Sequence, residues 1–419
     1  MTAQIKTVFS RQILDSRGLP TVETMVILDT GGYVVASVPS GTSTGTHEAL
    51  ELRDGNKEYM GLGVERAVKN VNETIGPHVR GMDVAKQTDI DHAMIELDGT
   101  RNKSNLGANA ILSVSIAVCK AGALASNVPL YRYISTMGGF IQAKRVPTPF
   151  FNLINGGLHG TGNLDFQEFH LIPATNKSFK ESLKIGVEIY QNLKNSLPRR
   201  GATRSVGDEG GFTPNLFSNL DAFEVMLEAV RAAGYSPGSD VFFGLDSAAN
   251  TFYKDGKYVI KDRSSPLSTN EMIEFYRSLL EQYRLISIED GLYEDDWEGW
   301  VKLTSELGEK TVIIGDDLLV TNKERLEKGI SLKAANGILI KPNQIGTVSE
   351  TIEAINIARN NGWQAVISHR SGETNDTFIA DFSVGTNALY CKYGGLSRGE
   401  RIAKYNRLIA IEEEIIAAS

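Results

Sequence analysis

The sequence predicts an α/β protein in which a small N-terminal α+β domain precedes a (β/α)₈ barrel. The first part of the chain has the alternating pattern of an antiparallel sheet and then helical spacing. From about Lys144 onward, short apolar runs alternate with amphipathic helices. Roughly 280 residues of this second kind suit one closed barrel, which typically needs ~250 residues. We therefore predict domains over residues 1–138 and 139–419.

Three patterns define the N-terminal region. Apolar and polar residues alternate over 22–28, a turn signal follows at 29–32, and YVVASV occupies 33–38, which together predict a β-hairpin. Residues 64–75 have apolar positions on one helical face, with Pro77 just beyond them. Residues 109–125 are apolar nearly all round, which predicts a helix buried between other elements.

Five apolar runs in the second region predict parallel strands that are buried on both faces. They are VFFGLD (241–246), LISIED (285–290), TVIIGDD (311–317), GILIK (337–341) and QAVISHR (364–370). Between them, one helix is predicted to stop at Gly234, one begins at Ser268 with capping-box spacing, and one begins at Thr347. An extra hairpin, FYKDGKYVI, separates the first two strands. A doubly wound open sheet is the alternative, but no GxGxxG motif follows the first strand.

Composition excludes several functional classes. The net charge of -8 argues against non-specific nucleic-acid binding, which needs a basic field. Cys119 and Cys391 form no CxxC pair, so neither a disulfide framework nor a zinc site is indicated, and a cytoplasmic location is expected. We find no signal-peptide pattern. The longest apolar stretch, 110–125, contains Lys120 and is too short to predict a membrane span.

Reactive polar residues stand at the ends of the five predicted strands. They are Asp246, Glu289, Asp316, Lys341, and His369 with Arg370. In a barrel these strand ends share one rim, where active sites form. A single aspartate there commonly caps the next helix, but capping does not explain three carboxylates, a lysine and an arginine on consecutive strands. Three carboxylates without histidine or cysteine among them favour Mg²⁺ or Mn²⁺ over zinc.

Lys341 is the candidate base at this rim. Lysine ordinarily titrates near ~10.4. We expect bound Mg²⁺ and nearby cations such as Lys392 to lower that pKa, so that the amine accepts a proton near neutral pH. A salt bridge to the carboxylates is the alternative role. Arg370 and Ser371 offer a bidentate grip and a further donor for an anionic, phosphorylated substrate.

Three further segments are candidates for the site. GDEGGFTPN (207–215) places Glu209 in a glycine-flanked turn, and FQEF (166–169) places Glu168 in a strand-like run. Solvated turn acids are the alternative for both. SGTSTG (40–45) has the composition of a flexible linker, and a mobile loop that closes over the site is the other interpretation.

Taken together, these segments closely resemble the enolase family, from ILDSRGLPTVE (13–23) to RIAKYNRLIAIEEE (401–414). The motifs that carry the resemblance are VPSGTSTGTHEALELRDG, VGDEGGFTPN, SIEDGLYEDDW, GDDLLVTN, KPNQIGT and SHRSGET. The resemblance implies a barrel that opens with a β-hairpin and the dehydration of 2-phosphoglycerate to phosphoenolpyruvate. It also implies two Mg²⁺ ions, for which Mn²⁺ is expected to substitute, and a homodimer or octamer without nucleic-acid or membrane partners.

The resemblance also implies residue roles. The ligands of one Mg²⁺ would be Asp246, Glu289 and Asp316, with Ser43 on the second. The catalytic residues would be Lys341 as base, Glu209 as acid with Glu168 beside it, and His369. The substrate would contact His159, Gln167, Arg370, Ser371 and Lys392, with phosphate at Arg370 and Ser371 and carboxylate at Lys392. For the two histidines, a structural imidazole is the alternative.

The acid role requires Glu209 to stay partly protonated near pH 7, and we expect the neighbouring Glu168 to raise its pKa. The sequence departs from the family pattern at Leu19, Gly291, Pro342 and residues 393–395. Pro342 restricts the backbone of Lys341, so an altered rate is expected. The alternatives are a superfamily dehydratase or racemase of non-phosphorylated acids, and a non-catalytic or moonlighting scaffold.

Overall fold

The computed structural model describes residues 3–41, 45–160 and 164–418. Its N-terminal region begins with a three-stranded antiparallel sheet of strands β1 (Ile5–Leu14), β2 (Pro20–Leu28) and β3 (Tyr33–Ser37), in that order. The predicted hairpin is β2–β3, in which Val26 pairs with Val34. Strand β1 extends the sheet along the other edge of β2.

Helices cover one face of this sheet. They are α1 (Glu65–Asn70), α2 (Gly76–Val79), α3 (Gln87–Asp98), α4 (Ala108–Ser126) and α5 (Leu130–Met137), with a π-helical turn over Val71–Ile75 and a 3₁₀ turn over Glu58–Gly61. Pro77 lies in the first turn of α2, where its missing N–H is not needed, so the helical path continues past Pro77 to Val79. Helix α4 is long and apolar enough to cross a membrane, but 83% of that stretch is buried inside the protein against β2 and β3.

The strands of the second region are β4 (Thr148–Asn155), β5 (Glu168–Pro173), β6 (Val241–Asp246), β7 (Tyr253–Lys254), β8 (Lys257–Tyr258), β9 (Leu285–Glu289), β10 (Val312–Gly315), β11 (Gly337–Ile340), β12 (Gln364–Ser368) and β13 (Tyr390–Lys392). Strands β7 and β8 form a separate short hairpin, and the others form a closed barrel in the order β10-β11-β12-β13-β4-β5-β6-β9. All five predicted strands and the FYKDGKYVI hairpin are therefore confirmed.

Three of the helices of the second region begin or end at or near the positions that the sequence predicts. The helices of this region are α6 (Phe179–Arg199), α7 (Asn219–Ala232), α8 (Thr269–Tyr283), α9 (Trp297–Leu307), α10 (Lys323–Leu332), α11 (Pro342–Ile345), α12 (Val348–Asn360), α13 (Phe378–Gly385) and α14 (Gly399–Ala417). Ser268 and Glu271 form the capping box of α8, and the Thr347 side chain accepts the first-turn N–H of α12. Helix α7 ends two residues before Gly234.

One strand departs from the parallel arrangement. Strand β5 runs antiparallel to both β4 and β6, whereas the other neighbouring pairs are parallel. In its described residues, the link between β4 and β5 contains the 3₁₀ turn Gly157–His159 and no α-helix, whereas parallel strands are usually joined by a helical crossover. The resemblance implied this opening hairpin, which brings the first residue of β5 to the same rim as the last residues of its neighbours.

The N-terminal region is fixed to the barrel close to that rim. The hydroxyl of Ser115 and the carboxylate of Asp91 accept the N–H groups of Val348 and Ser349 at 2.9 and 3.0 Å, which caps α12 from the other region. Ser40 exchanges two 2.8 Å backbone hydrogen bonds with Gly372. Ser40 is thereby anchored beside the residues that follow β12.

Candidate active site

Three carboxylates meet where β5, β6 and β9 lie side by side. Glu168 pairs in register with Asp246, and Asp246 pairs with Glu289. All three are at most 2% exposed. The antiparallel direction of β5 produces this arrangement, because it places the start of that strand beside the ends of the other two.

Lys392, the last residue of β13, lies among these carboxylates. Its Nζ is 3.0 Å from Asp246 Oδ2, 2.9 Å from both Glu289 oxygens and 3.1 Å from Glu168 Oε1. Burial lowers the pKa of Lys392, but the three carboxylates together raise it well above its usual range. Burial and the charge of Asp246 raise the pKa of Glu289 well above its usual range, although Lys392 opposes them. The cluster is therefore crowded with negative charge.

Asp316 and Lys341 form a second ion pair, between the residues that follow β10 and β11. Gln344 Nε2 donates to Asp316 Oδ1 at 2.8 Å. Asp290 accepts the N–H groups of Asp316 and Asp317 at 2.9 Å each and so fixes the turn that carries Asp316, a role the sequence did not indicate.

Without a cation, the protein's own groups raise the pKa of Lys341, whereas the sequence-based expectation was a pKa lowered by bound Mg²⁺ and nearby cations. Burial lowers it, and Arg370 and Lys392 lower it further, but the charge of Asp316 outweighs them and the pKa lies above its ordinary value. The protein's own groups therefore keep the proton on Lys341. The salt bridge considered as the alternative is present in the structure.

The donor set around this rim fits a divalent cation. Asp246, Glu289 and Asp316 offer only carboxylate oxygens. Burial, with the charges of Asp246 and Asp316, raises the pKa of Glu289, so further positive charge beside these carboxylates is favourable. In the described part of the chain, two sets of three acidic or histidine side chains have ligand atoms that all lie within 4.8 Å of one another, and neither set is the predicted one. They are Asp290 with Asp316 and Asp317, and His159 with Glu168 and Glu209. Asp246 and Glu289 are instead turned towards Lys392. Ser43 lies outside the described residues.

Glu209 lies on another wall of the same site. Its Oε2 is 3.2 Å from His159 Nδ1 and 3.3 Å from Asn152 Nδ2, and Asn152 also donates to Glu168 Oε2 at 2.9 Å. Burial raises the pKa of Glu209, but the charge of His159 and its hydrogen bond, with Arg401 and Lys392, take the pKa well below its usual range. The expectation of a partly protonated Glu209 is therefore wrong for these groups, because His159 outweighs any repulsion from Glu168.

The proton of this pair resides on the imidazole. Burial lowers the pKa of His159, yet the charge of Glu209 raises it above its ordinary value. His369 behaves in the opposite way: burial and the charge of Arg401 lower its pKa well below the ordinary value. Arg401 donates to His369 Nδ1 at 2.6 Å, so the neutral ring carries its proton on Nε2, which lies 4.0 Å from Glu209 Oε1.

Arg401 is a residue of the site to which the sequence analysis assigned no role. It is fully buried on α14 and donates to the backbone oxygens of Asp208, Arg370 and Ser371. It thus joins the turn that carries Glu209 to the segment that follows β12. A buried arginine directly after a glutamate at a helix start is too common a pattern to have revealed this from the sequence.

Arg370 and Ser371, the predicted phosphate grip, are both buried. The guanidinium of Arg370 donates to the two oxygens of Glu48 at 2.8 and 3.2 Å and to Asn343 Oδ1 at 3.1 Å. A carboxylate thus accepts the bidentate contact that a phosphate could accept. The sequence analysis gave Glu48 no role, although it lies in the VPSGTSTGTHEALELRDG motif.

A small buried cavity brings most of the predicted residues together. It is lined by His159, Gln167, Glu168, Glu209, Asp246, Lys341, Ser368, His369, Arg370, Ser371 and Lys392. Glu289 and Asp316 do not line the cavity themselves but form ion pairs with Lys392 and Lys341, which do. Polar atoms without a hydrogen-bond partner in the described structure include His159 Nε2, Gln167 Oε1 and His369 Nε2. Such atoms are costly to bury unpaired, which favours a polar ligand in the cavity.

The departures from the family pattern fit the local geometry. Lys341 has φ -128° and ψ 103°, the extended conformation that a following proline favours, and Pro342 begins α11, where no N–H is required. A side chain at Gly394 or Gly395 would meet the backbone of Glu209 or Gly210 at 2.4 or 2.3 Å. These two glycines let the chain after β13 lie directly against the turn that carries the candidate acid.

Family models match this chain over nearly its whole length. The enolase C-terminal TIM barrel domain matches residues 143–419, and the enolase N-terminal domain matches residues 5–134. The chain belongs to the enolase family. Enolase-family enzymes bind small-molecule substrates, and the acidic clusters of this member are consistent with divalent metal binding. The fold expectation, an α/β barrel of the enolase type behind an N-terminal domain, is confirmed.

Proposed function

We propose that this enolase-family protein catalyses the reversible, Mg²⁺-dependent dehydration of 2-phosphoglycerate to phosphoenolpyruvate. The observation that supports this is one buried cavity lined by a lysine, a hydrogen-bonded Glu–His pair, an arginine with a serine, and a second lysine. Each part of the substrate has a counterpart there. Arg370 and Ser371 suit the phosphate, Lys392 the carboxylate, Lys341 the C2 proton and Glu209 the C3 hydroxyl.

The base must work on a weakly acidic proton, because removing a proton beside a carboxylate places a second negative charge on the carboxylate oxygens. When bound, Mg²⁺ supplies positive charge where that charge develops. Lys392 Nζ contributes to the same stabilisation. Lys341 Nζ must first lose its own proton, and Asp316 opposes this as long as the ion pair between them persists. We infer that ligation of the cation by Asp316, with Asp246 and Glu289, weakens that pair.

The acid must deliver a proton to the leaving hydroxide. His159 holds one on the imidazole, and Glu209 Oε2 lies 3.2 Å from His159 Nδ1. We infer that Glu209 passes this proton from His159 to the C3 oxygen, so that the pair and not the carboxyl alone is the acid. Glu168, which is held by His170 at 2.9 Å and by Lys392, stays ionised beside it.

The test is the ultraviolet absorbance of the enol product, measured with purified protein and 2-phosphoglycerate in Mg²⁺ and then in excess EDTA. We expect rapid product formation that EDTA abolishes and that Mg²⁺ or Mn²⁺ restores. Glycerate without the phosphate is the matched substrate control and should give no product. Turnover of glycerate but not of 2-phosphoglycerate would favour a superfamily dehydratase of non-phosphorylated acids. No product from either acid, by folded protein that binds Mg²⁺, would favour a non-catalytic scaffold.

We further propose that two Mg²⁺ ions bind per site, that the protein works in the cytoplasm, and that it forms a homodimer or an octamer. Self-association is supported by the edge strand β1, on which Phe9 is 49% and Leu14 57% exposed. Analytical ultracentrifugation tests it, and a single monomeric species at micromolar concentration would contradict it.

A further inference from the structure

A strained turn contacts the backbone of Lys341, the candidate base. Val320 and Thr321 are consecutive β-branched residues with left-handed backbone, at φ 45° and 53°. Branched side chains rarely adopt this conformation, because Cβ crowds the backbone there. The turn lies between Asp316 and the start of α10, and it persists only if its surroundings determine it. Backbone strain of this kind clusters at functional sites, so the contacts of the turn are of interest.

The strained backbone delivers one buried hydroxyl to the site. Thr321 has no exposed surface. Its Oγ1 lies 3.0 Å from the backbone N of Lys341 and 2.7 Å from Gln344 Oε1, with Leu339 O farther away at 3.4 Å. The N–H of Lys341 can only donate, so the hydroxyl accepts that bond. Its single hydrogen is then directed to Gln344, the nearer acceptor.

Gln344 transmits this orientation to Asp316. A carboxylate only accepts, so the amide must present its NH₂ group to Asp316 Oδ1, which lies 2.8 Å from Gln344 Nε2. The amide oxygen is then free to accept from Thr321. The other carboxylate oxygen of Asp316 binds Lys341 Nζ. The hydrogen bonds therefore form a closed ring, from the backbone of Lys341 through Thr321, Gln344 and Asp316 to the side chain of the same lysine.

We propose that Thr321 is a positioning residue that fixes Asp316 and Lys341 relative to each other through Gln344. This inference rests on the proposed function, in which Lys341 is the base and Asp316 a metal ligand. Thr321 touches neither substrate nor metal in this scheme. Its hydroxyl fixes the position of the Lys341 backbone N–H and, through Gln344, the orientation of the Asp316 carboxylate. The strained turn places the hydroxyl at this position.

The central experiment replaces Thr321 with valine, which keeps the shape and the β-branch but removes the hydroxyl. We expect Thr321→Val to lower kcat by about 10- to 100-fold, as losses of residues that orient metal ligands do, with KM changed less than about threefold. Solvent deuterium incorporation at C2 should fall in parallel with kcat. The Mg²⁺ affinity measured by isothermal titration calorimetry without substrate should weaken about 10-fold or more. Thr321→Ser, which keeps the hydroxyl, should restore both quantities to near the wild-type values.

Two further variants keep the test decisive. Thr351→Val is the matched control, because Thr351 is also fully buried but its hydroxyl binds only Thr347 O within α12, at 2.6 Å. It should leave kcat and Mg²⁺ affinity unchanged. Gln344→Met removes the hydrogen bonds to Thr321 and Asp316 and so opens the same ring at a different residue. It replaces Thr321→Val in the test if that variant does not fold. The double variant should be no worse than the poorer single variant, because both break one ring.

The outcomes separate this inference from the proposed function. Wild-type kcat and Mg²⁺ affinity in Thr321→Val, or an equal loss in Thr351→Val, would overturn the positioning role while leaving the proposed reaction standing. A wild-type protein that forms no phosphoenolpyruvate would instead overturn the proposed reaction. In that case the Mg²⁺ titrations of Thr321→Val and Gln344→Met still decide whether the ring orients Asp316.

Discussion

The two walls of the cavity hold their protons in different ways. On the base wall, carboxylates are paired with the ammonium groups of Lys341 and Lys392, and both lysine pKa values are raised. On the acid wall, Glu209 is paired with the imidazole of His159, and Arg401 holds His369 neutral nearby. Burial raises the pKa of Glu289 on the base wall and opposes the lowering of the Glu209 pKa on the acid wall, and on both walls a nitrogen partner keeps a proton.

The two walls differ in the residue type that carries the proton, which is lysine on the base wall and histidine on the acid wall. Lysine ordinarily titrates near ~10.4 and histidine near ~6.5, so the proton of the acid wall is held by the residue type whose ordinary pKa lies nearer neutral pH. By residue type, the acid wall therefore gives up its proton more readily than the base wall. On the base wall, Lys341 cannot accept a proton from substrate until Asp316 and the other nearby carboxylates bind a cation in place of the ammonium group. This asymmetry explains why the proposed reaction needs a cation on one wall only.

The largest expected effect is on the base wall. A general base typically contributes ~10²- to 10⁴-fold to the rate. Lys341→Ala should therefore decrease the rate of phosphoenolpyruvate formation by a factor near the upper end of that range, and deuterium exchange at C2 should decrease by the same factor. Lys323→Ala, at an exposed lysine paired with Glu353, is the control and should have full activity. Wild-type C2 exchange in Lys341→Ala would show that another group removes the proton, and the comparison of the two walls would then fail.

A smaller and different effect is expected on the acid wall. Glu209→Gln keeps the shape but cannot relay the proton of His159, so dehydration should fall by about 10²-fold. Deuterium exchange at C2 should persist, because Lys341 is untouched. Nuclear magnetic resonance of recovered 2-phosphoglycerate measures that exchange. Equal losses of exchange and dehydration would mean that Glu209 also takes part in proton removal, and the two walls would not be separable.

The sequence predicted the parts of the fold that local patterns encode. The five strand runs ending at Asp246, Glu289, Asp316, Lys341 and His369 are confirmed, because buried strands and capped helices have short-range signatures. The direction of β5 followed only from the family resemblance, since the run FQEF does not state which neighbours it pairs with. The left-handed turn at Val320 and Thr321 has no sequence signal either, because branched residues normally avoid it.

The proton positions could not be predicted from the sequence. Each depends on a partner distant in the chain: Glu209 on His159, His369 on Arg401, and Arg370 on Glu48. Residue types predicted which groups gather at the rim, and the cavity unites most of them. Which carboxylate is ionised is decided by distances of about 3 Å, where Coulomb terms change steeply. The expectation of a partly protonated Glu209 was therefore wrong although the residue lies at the site, and the lowered pKa expected for Lys341 with bound Mg²⁺ stays a prediction.

The smallest effect concerns stability at the acid wall. Burial and Arg401 hold the pKa of His369 well below the value of about 6.5 that it has in the unfolded chain. Below pH 6.5 the unfolded chain therefore binds a proton that the folded chain does not. The free energy of unfolding should fall as pH is lowered through that range, by up to about 1.4 kcal/mol per pH unit, and this contribution should be constant above about pH 7.5.

Urea unfolding between pH 5 and 8 tests this for wild type and His369→Asn, whose amide oxygen can still accept from Arg401. The difference between the two free energies of unfolding should change with pH only below about 6.5, with wild type losing more stability. His78→Asn, at an exposed position, controls for removal of a histidine as such. Identical slopes for wild type and His369→Asn would mean that His369 binds its proton in the folded protein. An imidazolium would then face Arg401, and the acid wall could no longer be described as holding its proton on His159 alone.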